Sequence, residues 1–122
     1  MADEKLTVRL NTLHCYQNDE AKFDDIYIRY LGKRIWPTDK KHEDVGVGLT
    51  QLMIDIADVN PNEEMILEIW DYDTWSANDL LGKARIIADK PGGPYTVDME
   101  PINEKEVARY SINWQILWPD QD

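Results

Sequence analysis

Trp70-Asp71-Tyr72-Asp73-Thr74-Trp75-Ser76-Ala77-Asn78-Asp79-Leu80-Leu81-Gly82 is the stretch of this chain best equipped for chemistry. An apolar strand ends there in three aspartates that one loop can gather. In extended chain the side chains at i and i+2 point the same way, so Asp71 and Asp73 share a face, and a loop through Asn78 can return Asp79 beside them. Carboxylates held this close suit a hard divalent cation such as calcium, which takes about 6 to 8 oxygen ligands at about 2.3–2.6 Å. Two like charges about 4 Å apart repel by about 4 kcal/mol at an effective dielectric of about 20, so clustered acids are a local liability that a cation offsets.

An upstream segment adds further acids. Asp19-Glu20-Ala21-Lys22-Phe23-Asp24-Asp25-Ile26-Tyr27-Ile28 sets Asp19 and Asp25 six positions apart, across a loop that runs into an alternating strand. Together the two segments resemble the C2 domain family, β-sandwich modules that bind calcium through aspartates on loops at one end. In that family the first loop carries an Asp, five residues and a second Asp before a Pro-Tyr-Val strand start; Asp19, Asp25 and Ile26-Tyr27-Ile28 stand in those places. The family's third loop reads Asp-x-Asp, then a Ser three residues on, an Asp three further and a Gly three beyond. Asp71, Asp73, Ser76, Asp79 and Gly82 match each position.

The resemblance implies that Asp19, Asp25, Asp71, Asp73 and Asp79 supply carboxylates to two calcium ions, with Asp25 and Asp73 bridging them. The Tyr72 carbonyl and the Ser76 hydroxyl are the implied secondary ligands. The motifs cover Lys5 to Ala88. Ile26 stands where the family has proline, and the Asn-Pro-x-Trp pattern of its second loop is not found between Thr38 and Thr50. Asp24 adjoins Asp25; alternation points the two to opposite sides, and the spacing from Asp19 favours Asp25 as the ligand. An EF-hand starting at Asp71 does not fit, because its sixth position is Ser76 where glycine is needed and its twelfth is Gly82 where glutamate is needed.

The elements that must position these loops are strands. Leu6, Val8 and Leu10 alternate with Thr7, Arg9 and Asn11; Ile26, Ile28 and Tyr30 alternate with Tyr27 and Arg29; Leu52, Ile54 and Ile56 alternate with Met53 and Asp55. Met65, Leu67 and Ile69 form the inner set of the strand leading into Asp71, and Tyr110, Ile112, Trp114, Ile116 and Trp118 form a long set near the end. Leu81 to Ala88 reads as a further strand, and Tyr95 to Met99 as a weaker one after a turn at Pro91-Gly92-Gly93-Pro94. The helix candidate is Asn103 to Ala108, with Asn103 as cap. Seven or eight short strands predict a sandwich or a barrel. The resemblance decides for an all-β, eight-stranded antiparallel sandwich. Because the strand entering the first acidic loop opens the chain, it implies the circularly permuted type II topology, in which Arg109 to Trp118 supplies the missing neighbour.

With 122 residues, 43% of them hydrophobic, the chain reads as one domain spanning 1–122. It has no run of about 18 apolar residues, and Met1-Ala2-Asp3-Glu4-Lys5 lacks the basic then apolar pattern of a signal peptide. The one cysteine, Cys15, excludes an internal disulfide. The expectation is a soluble cytoplasmic protein that associates with membrane peripherally. A net charge of −11 argues against nucleic acid and against unassisted attraction to anionic lipid. No Gly-rich phosphate loop and no nucleophile with a credible base is present, which argues against an enzyme.

Phe23 and Trp75 lie between the acids of their loops, at the apex. In membrane-binding C2 domains apolar residues at this place enter the lipid interface; the alternative is that Trp75 folds back on its own loop. Lys33-Arg34 and Lys40-Lys41-His42, interrupted by Trp36-Pro37 and Asp39, read as a solvated hairpin. Two functions follow. One is a calcium-binding module that docks on a phospholipid membrane or a partner protein through its calcium loops. The other is a protein-interaction or assembly subunit in which calcium is structural or absent.

Overall fold

The computed structural model of this protein describes residues 4–118; residues 1–3, part of the signal-peptide reading, and 119–122 lie outside the described residues. Ten strands follow one another: β1 (Leu6–Gln17), β2 (Asp24–Tyr30), β3 (Lys33–Trp36), β4 (Glu43–Val45), β5 (Gly48–Val59), β6 (Glu64–Asp71), β7 (Asp79–Ile87), β8 (Gly92–Asp98), β9 (Glu100–Pro101) and β10 (Arg109–Leu117). They form two antiparallel sheets. The first has the order β5-β1-β10-β8; the second has the order β3-β2-β6-β7-β9, with β4 also pairing β2. The last strand lies beside the first, as the permuted topology requires.

Alternation drives the layering. Met65, Leu67 and Ile69 of β6 and Ile26 and Ile28 of β2 turn inward from the second sheet; Tyr110, Ile112, Trp114 and Ile116 of β10 meet them from the first, all buried. On β1 the buried set changes parity, from Leu6, Val8 and Leu10 to Leu13 and Cys15. A bulge causes this: Leu10 pairs with Trp114 and Thr12 with Asn113, so Asn11 is an extra residue relative to β10. Opposite, Leu10 pairs with Ile54 and Thr12 with Gln51, and Met53 takes up the irregularity at φ 47°. The bulges carry β1 on to the loop end with its apolar side chains still inside.

Four differences from the sequence expectation stand out. Among the described residues there are ten strands, close to the eight expected, and the additional ones include β3, β4 and β9, of four, three and two residues. Pieces this short carry almost no alternation. The Lys33-Arg34 segment is one of them, joined to β2 by the two-residue turn Leu31-Gly32 with φ 52° and 77°, the left-handed pair that a tight hairpin needs. The expected helix at Asn103 to Ala108 is a turn. Asn103 does cap it, its Oδ1 accepting the N–H of Lys105 at 2.9 Å and of Glu106 at 3.1 Å, but so short a segment cannot repay helix nucleation before β10 begins. Trp118, expected to continue the inner set of β10, lies beyond the strand end and is exposed. The stretch Gly92-Gly93-Pro94, read as a turn, is the start of β8.

Gly82, the last position of the acidic-loop pattern, lies where β9 crosses β7. A Cβ there would stand 2.3 Å from the Glu100 carbonyl oxygen and 2.7 Å from Met99 Cγ. Gly82→Ala is therefore expected to destabilise the protein by ~2–3 kcal/mol or more, read as a lower urea midpoint, because a backbone carbonyl cannot move aside as a flexible side chain can.

Candidate functional site

The site is built where β2 and β6 emerge side by side from the second sheet. Ile26 pairs with Asp71, and Asp71 in turn with Asp79 of β7. Beyond these pairs the 18–23 loop leaves β1, the 72–78 loop leaves β6, and the 102–108 connection returns to β10 beside Gln17. The backbone ties the two acidic loops directly: Tyr72 N–H donates to the Asp25 carbonyl at 2.7 Å, and Asp25 N–H to Asp71 Oδ1 at 2.9 Å.

Inward parity carries two carboxylates into the mouth between the sheets. Asp24 continues the inward row of Ile26 and Ile28 and is fully buried; Asp71 continues that of Met65, Leu67 and Ile69 and is 4% exposed. Asp24 is fully engaged. Its Oδ2 accepts the Tyr110 hydroxyl at 2.5 Å and the Asp19 N–H at 2.9 Å, and its Oδ1 accepts the Glu20 N–H at 2.9 Å. Burial, then Asp24, pushes the Tyr110 hydroxyl far above the ordinary tyrosine range, so it remains a donor. Asp24, the neighbour that the spacing did not favour as a ligand, thus shapes the loop that carries Asp19.

Asp71 has less compensation. Burial pushes its pKa up to about 7; the Asp25 N–H pulls it down, and Glu20, Asp24 and Asp19 push it further up. Asp19, half-buried, is raised to about 6 by burial and then by the neighbouring Glu106 carboxyl. Asp19, Glu20, Asp24, Asp71 and Glu106 therefore form one acidic neighbourhood. Glu20 and Glu106 had no motif to announce them, and the topology of the 102–108 connection alone brings Glu106 there.

Of the remaining implied ligands, Asp73 and Asp79 flank this mouth and Asp25 does not. Asp73 is bound within its own loop, accepting the Ser76 hydroxyl at 2.6 Å, the Trp75 N–H at 2.8 Å and the Ser76 N–H at 3.3 Å; these bonds, the Ser76 hydroxyl foremost, hold its carboxyl below the usual range. Asn78 braces the loop, accepting the Asp73 N–H at 2.8 Å and donating to the Tyr27 hydroxyl at 3.0 Å. Asp79 is exposed at the start of β7. Asp25 faces the outer side of the sheet, where burial and then Asp44 raise its pKa while His42 lowers it. Phe23 is 54% exposed and Trp75 94%, so the Trp75 ring does not fold onto its loop.

This donor set is all oxygen, and Asp71 is a buried carboxylate short of positive partners; both features fit a hard cation such as calcium. The loops are open. Among the described residues, no three of the acids at the mouth bring ligand atoms within 4.8 Å of one another. Ion binding would require the loops to draw in, with Asp73 giving up part of its bonding to Trp75 and Ser76.

A pH dependence follows for the ion-free protein. Asp71 has a pKa of about 7 against an ordinary 3.8, so between these values the folded state keeps a proton that the unfolded state has lost, and stability falls as pH rises through that window. Asp71→Asn keeps an acceptor for the Asp25 N–H and removes the charge. In chelator it should raise stability at pH 7.5 by ~1–3 kcal/mol over wild type, with little difference at pH 4. Urea unfolding at the two pH values measures this, and equal differences at both would contradict it.

No protein-family model matches this chain, and no curated protein matches it. Solved structures do. One, described as "Structure of a C2 domain", is similar over 93% of this chain and 98% of its own, with a TM-score of 0.58 and 16% sequence identity. The chain has a C2-like fold.

Proposed function

We propose that this protein is a calcium-binding C2-type module that docks on phospholipid membrane through its calcium loops. One observation carries the reading: a buried, poorly compensated Asp71 lies at the mouth of the sandwich, in a strand that continues into a loop bearing the almost fully exposed Trp75. Two calcium ions held by Asp19, Asp25, Asp71, Asp73 and Asp79, with the Tyr72 carbonyl and Ser76 hydroxyl, would offset the acids and offer lipid phosphate a cation. Phe23 and Trp75 then supply apolar surface at the loop tips; tryptophan suits a boundary that is wet on one side and apolar on the other. Because the chain carries a net charge of −11, attraction to anionic lipid depends on that local charge reversal. Such a module works as a binding device rather than an enzyme, and moves between cytoplasm and membrane surface.

A second reading, a protein-interaction subunit, is favoured by the outer face of the second sheet. There Arg29 lies over the Trp70 ring at 5.6 Å, Trp70 stacks with Tyr27 at 6.0 Å, and Lys41 lies over Tyr72 at 5.9 Å. Beside them a groove of about 470 Å³ is lined by Arg29, Tyr30, Glu68, Trp70 and Lys83.

Co-sedimentation with phosphatidylserine-containing vesicles separates the two. The membrane reading predicts binding in calcium, none in chelator, and a several-fold loss in Trp75→Ala. Absence of sedimentation in both conditions selects the second reading.

A further inference from the structure

The geometry points to a second cation site, for zinc or a similar transition ion, made by Asp25, His42 and Asp44 on the outer face of the second sheet. Asp25 of β2 stands directly opposite Asp44 of β4 in the antiparallel register, a position where like charges destabilise. His42 precedes Asp44 by two residues at the entry to β4, so extended backbone sets it on the same side. One ligand atom from each of the three lies within 4.8 Å of the other two.

The histidine is the distinguishing feature. Its Nδ1 is buried, has no hydrogen-bond partner, and lies 3.6 Å from Asp25 Oδ1. The ring is fixed from behind by stacking on Tyr72, with centroids 4.8 Å apart and planes 20° from parallel, and Tyr72 is itself anchored to the Asp25 carbonyl. Lys40, a nearby cation, is engaged by Glu43. An orphaned ring nitrogen beside Asp25, in a group that Asp44 completes from the paired strand, is a ready N/O/O donor set. Zinc takes such donors at about 2.0–2.2 Å, so contraction of the side chains around the ion completes three positions and leaves a fourth for water. Imidazole nitrogen selects zinc, copper or nickel over calcium, which binds oxygen.

The site goes beyond the calcium reading. It shares Asp25 with it, but needs His42 and Asp44, which that reading does not use, and does not need Asp71. A bound ion would offset the facing carboxylates and pin β4 to β2 beside the acidic loops.

Calorimetric titration of the chelator-stripped protein with zinc alone tests it. Wild type should bind one equivalent and gain thermal stability. His42→Gln and Asp44→Asn should each weaken binding by more than about tenfold, since loss of even an outer partner of a metal ligand costs that much. Asp71→Asn should bind zinc as wild type does, and His42→Gln should titrate with calcium as wild type does. His42 is half-buried and Asp44 exposed, so both variants should fold, and an unchanged circular dichroism spectrum is the check. No zinc binding by wild type, or unchanged binding by His42→Gln, overturns the proposal. Loss of calcium binding alone would count against the calcium module and leave the zinc site standing.

Discussion

The Tyr110 hydroxyl donates to Asp24 between the two sheets, and the loop end of this molecule is organised around that contact. Tyr110 is the second residue of β10 in one sheet and Asp24 the first of β2 in the other. The carboxylate also takes the N–H groups of Asp19 and Glu20, so one buried acid closes the sandwich and sets the path of the 18–23 loop. A buried carboxylate is tolerated only when its oxygens are satisfied, and here three donors converge on it. The consequence falls on its neighbour. Asp71 shares the same interior, receives only the Asp25 N–H among the described residues, and sits among Asp19, Glu20 and Asp24.

Stability and the proposed ion binding pull apart at this point. The apolar rows of β2, β6 and β10 would continue more favourably with another aliphatic pair than with Asp24 and Asp71. Ending them in acids moves charge to the edge of the core, where screening by water is weak and an ion would be held strongly. The 72–78 loop is provisioned differently. Ser76, Trp75 and Asn78 brace Asp73 and its backbone from within, which keeps the loop in shape and Trp75 in solvent.

Much of the fold was legible because the long strands alternate cleanly: Met65, Leu67 and Ile69 are inside as their spacing predicts, and so is the row from Tyr110 to Ile116. The bulge at Asn11 was not, since a parity change within one strand reads locally as two ordinary half-strands. Nor were β3, β4 and β9, which exist through pairing with neighbours rather than through their own pattern. At the site, Asp19 and Asp73 stand on the two loops, Asp71 and Asp79 at the strand ends that flank the second of them, and Asp25 within β2. What escaped was tertiary: the inward direction of Asp24, the approach of Glu106 from a distant connection, and the meeting of His42 and Asp44 with Asp25. The row Asp24, Ile26, Ile28 did carry the signal for the first of these, because an acid in phase with buried aliphatics must be paired or charged at a cost.

The proposed function requires that the acids at the mouth bind a cation. Isothermal titration of the chelator-stripped protein with calcium, beside Asp71→Asn, tests that directly. Saturable heat in the wild type and its loss in the variant is the predicted result. A flat titration of the wild type at millimolar calcium would contradict it, and would leave the sandwich as a scaffold whose sheet faces do the binding.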